Sequence, residues 1–281
     1  MAGVERRSFG PLAREVAVIG QGTWQMGGDR AGAVRALRRG LDLGMTHIDT
    51  AEMYTGSEEH IAEAIAGRRD EVFLVSKVLP QNASRKGTIA ACEKSLRRLR
   101  TDSLDVYLLH WRGSHPLAET VAGFAELERA GKIRAWGVSN FDVDDLEELL
   151  ALTPTSRPAC NQVLYHLEER AIEHAVLPWC ERERVALVGY SPFGSGRFPS
   201  ARSAAGRVLA EIAAARGATP RQIALRFLVR RPALFAIPKA AREDHAAENA
   251  AAGDLELSAA ERARIDAAFP LPSRKRGLPM L

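Results

Sequence analysis

A lysine stands near the end of an otherwise apolar run, VFLVSKV (72–78). Lysine is rarely buried without a partner, because an ammonium taken out of water must find an anion. Lys77 therefore demands a buried acid, and Asp49, in the apolar run THIDTA (46–51), is available. Tyr54 follows shortly after it, and His110 stands near the end of another run, LDVYLLHW (104–111). A phenol titrates near ~10 in water, too weak an acid to exchange protons readily at neutral pH. An adjacent ammonium favours the phenolate, so Lys77, oriented by Asp49, is expected to lower the Tyr54 pKa and poise its hydroxyl as a general acid. His110 can donate a hydrogen bond to a carbonyl oxygen as negative charge develops there during hydride addition. Taken singly, a buried histidine or a strand-end aspartate has an ordinary structural explanation. The buried lysine does not.

These residues need elements that bring them to one place. Short apolar runs recur along the chain: 16–24, 46–51, 72–78, 104–111, 133–140, 159–166, 185–192 and 234–240. Runs apolar at nearly every position suit strands buried on both faces, as in a parallel sheet. Between them, stretches such as 31–44 and 119–132 carry helical periodicity, with Gly44 and Gly131 as stops. About eight strand–helix units predict a closed (β/α)8 TIM barrel, in which the active site gathers at the C-terminal ends of the strands. No Pro/Gly/Ser-rich linker interrupts the series, so residues 1–281 read as one domain. The opening ten or so residues are expected to form a hairpin that plugs the barrel bottom, and 270–281 an irregular tail.

Composition narrows the class further. The chain has 281 residues, 46% hydrophobic and 26% charged, with a formal charge of +4. These values suit an ordinary globular protein with a sizeable core. The basic residues sit in helical patterns such as KSLRRLR (94–100), which reads as a solvated helix face rather than a nucleic-acid surface. No run is long enough for a membrane helix and the start lacks a secretory pattern, so the expectation is a cytoplasmic protein without nucleic-acid or membrane partners, and a monomer. Cys92, Cys160 and Cys180 show no CxxC pairing and read as reduced structural thiols, and no metal site is expected.

The strings GTWQMG, HIDTAEMY, LVSKV, LLHW, GKIRAWGVSN, NQVLYH, GYSPFG and IPKA, in this order, resemble the signature of the aldo-keto reductases over nearly the whole chain. HIDTAEMY, NQVLYHL and LPWC are similar to a bacterial group of small-aldehyde reductases that includes methylglyoxal reductases. The resemblance implies that Asp49, Tyr54, Lys77 and His110 form the catalytic tetrad of an NADPH-dependent reductase. It places Ser139, Asn140 and Gln162 on the nicotinamide carboxamide, Tyr190 against the nicotinamide ring, and Gly22, Thr23 and Trp24 along that side of the pocket. Ser191, Phe193 and Ser195 of SPFGSG (191–196) would wrap the pyrophosphate. Lys239 would meet the 2'-phosphate and Glu248 and Asn249 the adenine. Here the sequence departs from the family: Ala240 replaces a serine and His245 an arginine, a loss for which Arg242 is expected to compensate.

Trp24, Tyr54, His110 and Trp111 are expected to form the substrate pocket, with Trp136 in the core and Trp179 unassigned. Short segments after the fourth strand and at the C-terminus suggest few apolar walls, hence small carbonyl substrates, with Arg112 and Arg197 drawing acidic ones to the mouth. Two rival readings are a non-catalytic NADPH-binding regulatory protein, disfavoured by the intact tetrad, and a metal-dependent hydrolase using His47, Asp49 and His110. The latter leaves Lys77 unexplained, since an ammonium is no metal ligand.

Overall fold

The computed structural model describes residues 3–26, 28–272 and 277–281. Gly27 of GTWQMG and residues 273–276 of the expected tail lie outside the described residues. The chain enters through an antiparallel hairpin, β1 (Arg6–Ser8) with β2 (Glu15–Ala17). Parallel strands follow: β3 (Gln21–Gly22), β4 (His47–Asp49), β5 (Phe73–Val78), β6 (Val106–Leu109), β7 (Trp136–Ser139), β8 (Cys160–Leu164), β9 (Ala186–Tyr190) and β10 (Leu234–Ile237). They pair in chain order from β3 to β10, and parallel bridges from Ile19 to Ala236 and Gly22 to Lys239 close the last strand on the first. The fold is the (β/α)8 barrel that the alternation of runs predicts.

Helices α1 (Arg30–Asp42), α2 (Ser57–Ala64), α3 (Arg85–Leu99), α4 (Leu117–Arg129), α5 (Val143–Leu152) and α6 (Val176–Glu183) each follow a strand. Two helices, α7 (Ala204–Arg216) and α8 (Pro220–Leu228), separate β9 from β10, and α9 (Glu243–Ala251) and α10 (Ala259–Ala268) follow the last strand. β5 shows why the runs lack an apolar–polar alternation. Phe73 and Val75 belong to the cluster inside the barrel, while Leu74 and Val78 belong to the one under the helices. Successive side chains point to opposite faces, and both faces are buried. Lys77 alternates onto the inner face with Phe73 and Val75.

The run 16–24 is divided between two sheets. Val16 and Ala17 pair within the hairpin, and Gln21–Gly22 enters the barrel. Both environments bury apolar side chains, so hydrophobicity cannot mark the boundary. The hairpin does plug the barrel floor: Phe9 is 0% exposed and packs against Phe73 and Phe235, with ring centroids 4.8 and 4.9 Å away. Gly10 makes this possible. Its φ is +56°, and a Cβ there would lie 2.2 Å from the Ala159 carbonyl oxygen at the foot of β8.

His47 sits in the same floor, edge-on to Phe9 and Phe73, with neither ring nitrogen hydrogen-bonded to any of the described residues. Burial, aided by Lys77, lowers its pKa to about 3, so the ring is a neutral packing element. Trp136 stacks on Phe124 in the outer core. Trp179 is buried and donates its Nε1–H to Glu147 at 2.5 Å. The three cysteines are free and buried. No helix among the described residues is long and apolar enough to cross a membrane.

Candidate active site

The barrel brings Asp49, at the end of β4, beside Lys77 on β5. Lys77 is 0% exposed and Asp49 2%. The Lys77 ammonium donates to Asp49 Oδ1 at 2.6 Å and to the Thr50 carbonyl oxygen at 2.8 Å. Gln162, on β8, donates from Nε2 to the other Asp49 oxygen at 2.7 Å. Both carboxylate oxygens are thus engaged, as a buried ion pair requires. Burial works against the Lys77 charge, but Asp49 and Tyr54 beside it outweigh that, and its pKa lies above the ordinary lysine value.

Tyr54 arrives on the turn between β4 and α2, with the Lys77 ammonium 5.1 Å from its ring centroid. That turn is tied down through Thr23, whose hydroxyl donates to the Asp49 carbonyl oxygen and whose own carbonyl accepts from Ser57 Oγ, each at 2.9 Å. Burial raises the Tyr54 pKa, and Lys77 only partly counteracts it. This corrects the expected direction. The ammonium pulls toward phenolate as anticipated, but desolvation is the larger influence, and a sequence does not reveal how deeply a turn is buried. The hydroxyl stays protonated at neutral pH, the state a proton donor needs.

His110, just past β6, lies edge-on to Tyr54 with ring centroids 5.9 Å apart. Burial and then Lys77 lower its pKa to about 2, so the imidazole is neutral. Its Nδ1 is buried without a partner among the described residues. With no acceptor for an Nδ1–H, the ring proton belongs on Nε2, which makes Nε2 the available donor.

Asp49, Tyr54 and His110 line a cavity of about 260 Å3. Gly22, Thr23, Trp24, Trp111, Ser139, Asn140, Gln162, Tyr190, Ser191 and Lys239 share it with them, and Lys77 lies behind the lining, bonded to Asp49. Gly22 is required by closeness, since a Cβ there would lie 2.6 Å from the Ile237 carbonyl oxygen across the barrel seam. Ser139 donates to the Gln162 carbonyl oxygen at 2.8 Å, Asn140 donates to that of His110 at 3.1 Å, and the Tyr190 hydroxyl donates to Asn140 Oδ1 at 3.0 Å. Gln162 Oε1 accepts no hydrogen bond from the described residues and is an acceptor suited to a carboxamide N–H.

Asn140, Ser191 and Ser195 adopt left-handed backbone, with φ of 60°, 50° and 50°. Such conformations are costly for non-glycine residues and concentrate at ligand sites. The donor set and this backbone fit a dinucleotide.

Phe193, Ser195, Arg242, His245, Glu248 and Asn249 lie outside the cavity lining, on the loop after β9 and around α9. Arg242 is exposed and already paired with Asp244 at 2.5 Å. Glu248 accepts from Thr219 Oγ1 at 2.5 Å, and Asn249 is buried. Arg112 is likewise committed, to Asp145 at 3.0 Å and Glu148 at 2.9 Å, so its expected pull on acidic substrates is largely neutralised.

Met53, Ile237, Met280 and Leu281 line the cavity although the sequence reading did not single them out. Met53 adjoins Tyr54 and Ile237 opens the IPKA string, so proximity was a usable signal for both. For Met280 and Leu281 there was none. Ahead of residues 273–276, Arg170 bonds the Phe269 carbonyl oxygen at 2.7 Å and His174 contacts that of Pro272 at 2.9 Å; after them, Leu278 packs on the outer core. The expectation of few apolar walls is therefore corrected: a short tail still supplies one.

The chain matches the model of the Aldo/keto reductase family over residues 18–269. It is an aldo-keto reductase. Methylglyoxal reductase YeaE of Escherichia coli is 48% identical to this aldo-keto reductase over 269 residues, covering 94% of each chain. Glyoxal reductase of Bacillus subtilis is 35% identical over 238 residues, covering 84% of this chain and 83% of its own. The crystal structure of an aldo-keto reductase from Klebsiella pneumoniae in complex with NADPH superposes with a TM-score of 0.93 at 46% identity, over 100% of both chains. The barrel and its enzyme class are thereby established.

Proposed function

We propose that this aldo-keto reductase reduces small aldehydes, 2-oxoaldehydes of the methylglyoxal type among them, with NADPH as reductant and Tyr54 as general acid. The observation that carries the reading is the buried Lys77–Asp49 pair, 2.6 Å apart, set against the Tyr54 ring in a cavity shared with a neutral His110. Bound NADPH supplies a hydride to the carbonyl carbon. As the C=O bond becomes C–O, the oxygen takes its proton from the Tyr54 hydroxyl, and the Lys77 ammonium stabilises the phenolate left behind. His110 Nε2–H orients the same oxygen and favours its developing charge. The reading assigns the carboxamide to Ser139, Asn140 and Gln162, the nicotinamide face to Tyr190, the pyrophosphate to the 191–196 loop, the 2'-phosphate to Lys239 with Arg242, and the adenine to Glu248 and Asn249.

The substrate class is supported by two relatives named as methylglyoxal and glyoxal reductases. It is also supported by the cavity, whose roughly 260 Å3 lies below the usual range of small-ligand pockets and must receive the nicotinamide end as well. Trp24, Met53, Trp111 and Met280 offer apolar contact to a methyl or an aryl group, not to a polycyclic ligand. Comparing kcat/KM for methylglyoxal, a nitrobenzaldehyde and a ketosteroid tests this. The ketosteroid should be the poorest substrate, and a preference for it would overturn the assignment.

The cofactor assignment makes its own prediction. Lys239→Ala should raise the Kd of NADPH roughly tenfold or more, the scale of one charge-assisted hydrogen bond, and leave that of NADH nearly unchanged. Arg242→Ala should do less, because Asp244 already offsets that charge. Equal losses for both cofactors on removing Lys239 would refute its placement on the 2'-phosphate.

A further inference from the structure

Arg221, in the first turn of α8, combines features that neither packing nor the tetrad explains. Its guanidinium carbon lies 5.0 Å from the ring centroid of Phe198 and 5.8 Å from that of Phe193, and the two rings meet edge-on. The side chain is exposed, and no carboxylate among the described residues forms a salt bridge with it. Stacking engages the face of a guanidinium and leaves its in-plane N–H donors free for an anion.

The surroundings say which anion. Phe193 belongs to a loop in which Ser191, Gly194, Ser195 and Gly196 all have positive φ, an arrangement that turns backbone N–H groups into an anion-binding concavity. On the other side, Thr219 donates to the Glu248 carboxylate and Gln222 to the Glu248 carbonyl oxygen, fastening the first turn of α8 to α9. Arg221 thus bridges the loop assigned to the pyrophosphate and the helix assigned to the adenine.

We propose that Arg221 is a cofactor-binding residue for the pyrophosphate of the dinucleotide, a reading that rests on the NADPH assignment above. One face of the guanidinium latches Phe193 and Phe198, holding the loop in place, and the N–H edge bonds a phosphate oxygen. The pyrophosphate is favoured over the 2'-phosphate because the rings that Arg221 holds flank Ser195 on the loop. Lys239 and Arg242 stand instead on the separate stretch leading into α9. A pyrophosphate contact is common to NADPH and NADH, whereas a 2'-phosphate contact is not.

The test is a titration of protein fluorescence with NADPH and with NADH, together with stopped-flow dissociation of each, for the wild type, Arg221→Ala, Arg221→Lys and Phe198→Ala. Arg221→Ala should raise both Kd values by the same factor, about tenfold, the scale of a charge-assisted bond to phosphate, mainly through faster dissociation. Arg221→Lys keeps the charge without the planar face and should fall in between. Phe198→Ala keeps the charge without the latch and should speed dissociation of both cofactors. Unchanged Kd and dissociation in Arg221→Ala would overturn the proposal, as would a loss confined to NADPH. A wild type that binds neither cofactor would overturn the NADPH reading and this proposal with it, and the wild-type titration alone identifies that case.

Discussion

Replacing Tyr54 with Phe should lower kcat for aldehyde reduction by about 100-fold or more, the usual worth of a general acid, while cofactor affinity stays close to that of the wild type. The substitution removes the transferable proton and keeps the ring that packs against Lys77 and His110. Because hydride addition without protonation leaves an alkoxide in a poorly solvated cavity, the loss belongs to the chemical step and should appear in kcat more than in KM. The pH dependence follows from the same geometry. Burial holds Tyr54 above its ordinary value, so the donor form persists through neutrality, and reduction is lost only as the pH rises through that raised value. His110, lowered to about 2, should add no acidic limb near the usual histidine range. Retention of more than about a tenth of the wild-type kcat by Tyr54→Phe would remove Tyr54 from the role of donor.

What could be read from the sequence divides along a physical line. Lys77 and Asp49 were legible because a charge inside a strand buried on both faces must find a counter-charge nearby, a constraint that acts whatever the details of packing. Tyr54 and His110 were legible because a parallel barrel collects strand ends at one rim. The direction of the Tyr54 pKa was not, since it depends on whether burial of the turn outweighs the pull of Lys77, a matter of three-dimensional depth. The carboxylate partners of Arg112 and Arg242 were not legible for a related reason. A cation in a sequence carries no record of Asp145 and Glu148 on α5, or of the Asp244 side chain folding back onto Arg242. Nothing in the sequence around Met280 and Leu281 records that they line the cavity, or that Arg170 and His174, remote in the chain, bond the Phe269 and Pro272 carbonyl oxygens. The division of the run 16–24 between hairpin and barrel was hidden because two different sheets bury the same kind of side chain.

Replacing Lys77 with Met should combine a kinetic loss like that of Tyr54→Phe with a stability loss that Tyr54→Phe does not share. The kinetic part arises because no ammonium then stabilises the Tyr54 phenolate as the proton leaves. Since the two residues act as a unit, the double variant should be little slower than Tyr54→Phe alone. The stability part arises because Asp49, 2% exposed, keeps only the Gln162 bond and becomes a buried anion without a counter-charge. Breaking a buried pair by removing one partner costs about 3–5 kcal/mol. In the wild type, Lys77 is held above its ordinary pKa, so its contribution is fully present below the unfolded lysine value and lost only as the pH rises through the raised one. In the variant the sign of the Asp49 effect matters instead. Burial already favours the neutral carboxyl, and without Lys77 nothing charged opposes it, so the folded-state pKa must lie above that of the unfolded chain. The penalty is then greatest above that raised value and shrinks as the pH falls toward the unfolded aspartate range, where the carboxyl is protonated in both states. Urea unfolding of wild type and variant at pH 8 and at pH 5 measures it: the gap between them should narrow at the lower pH. A gap of the same size at both would show that Asp49 is not the group left stranded.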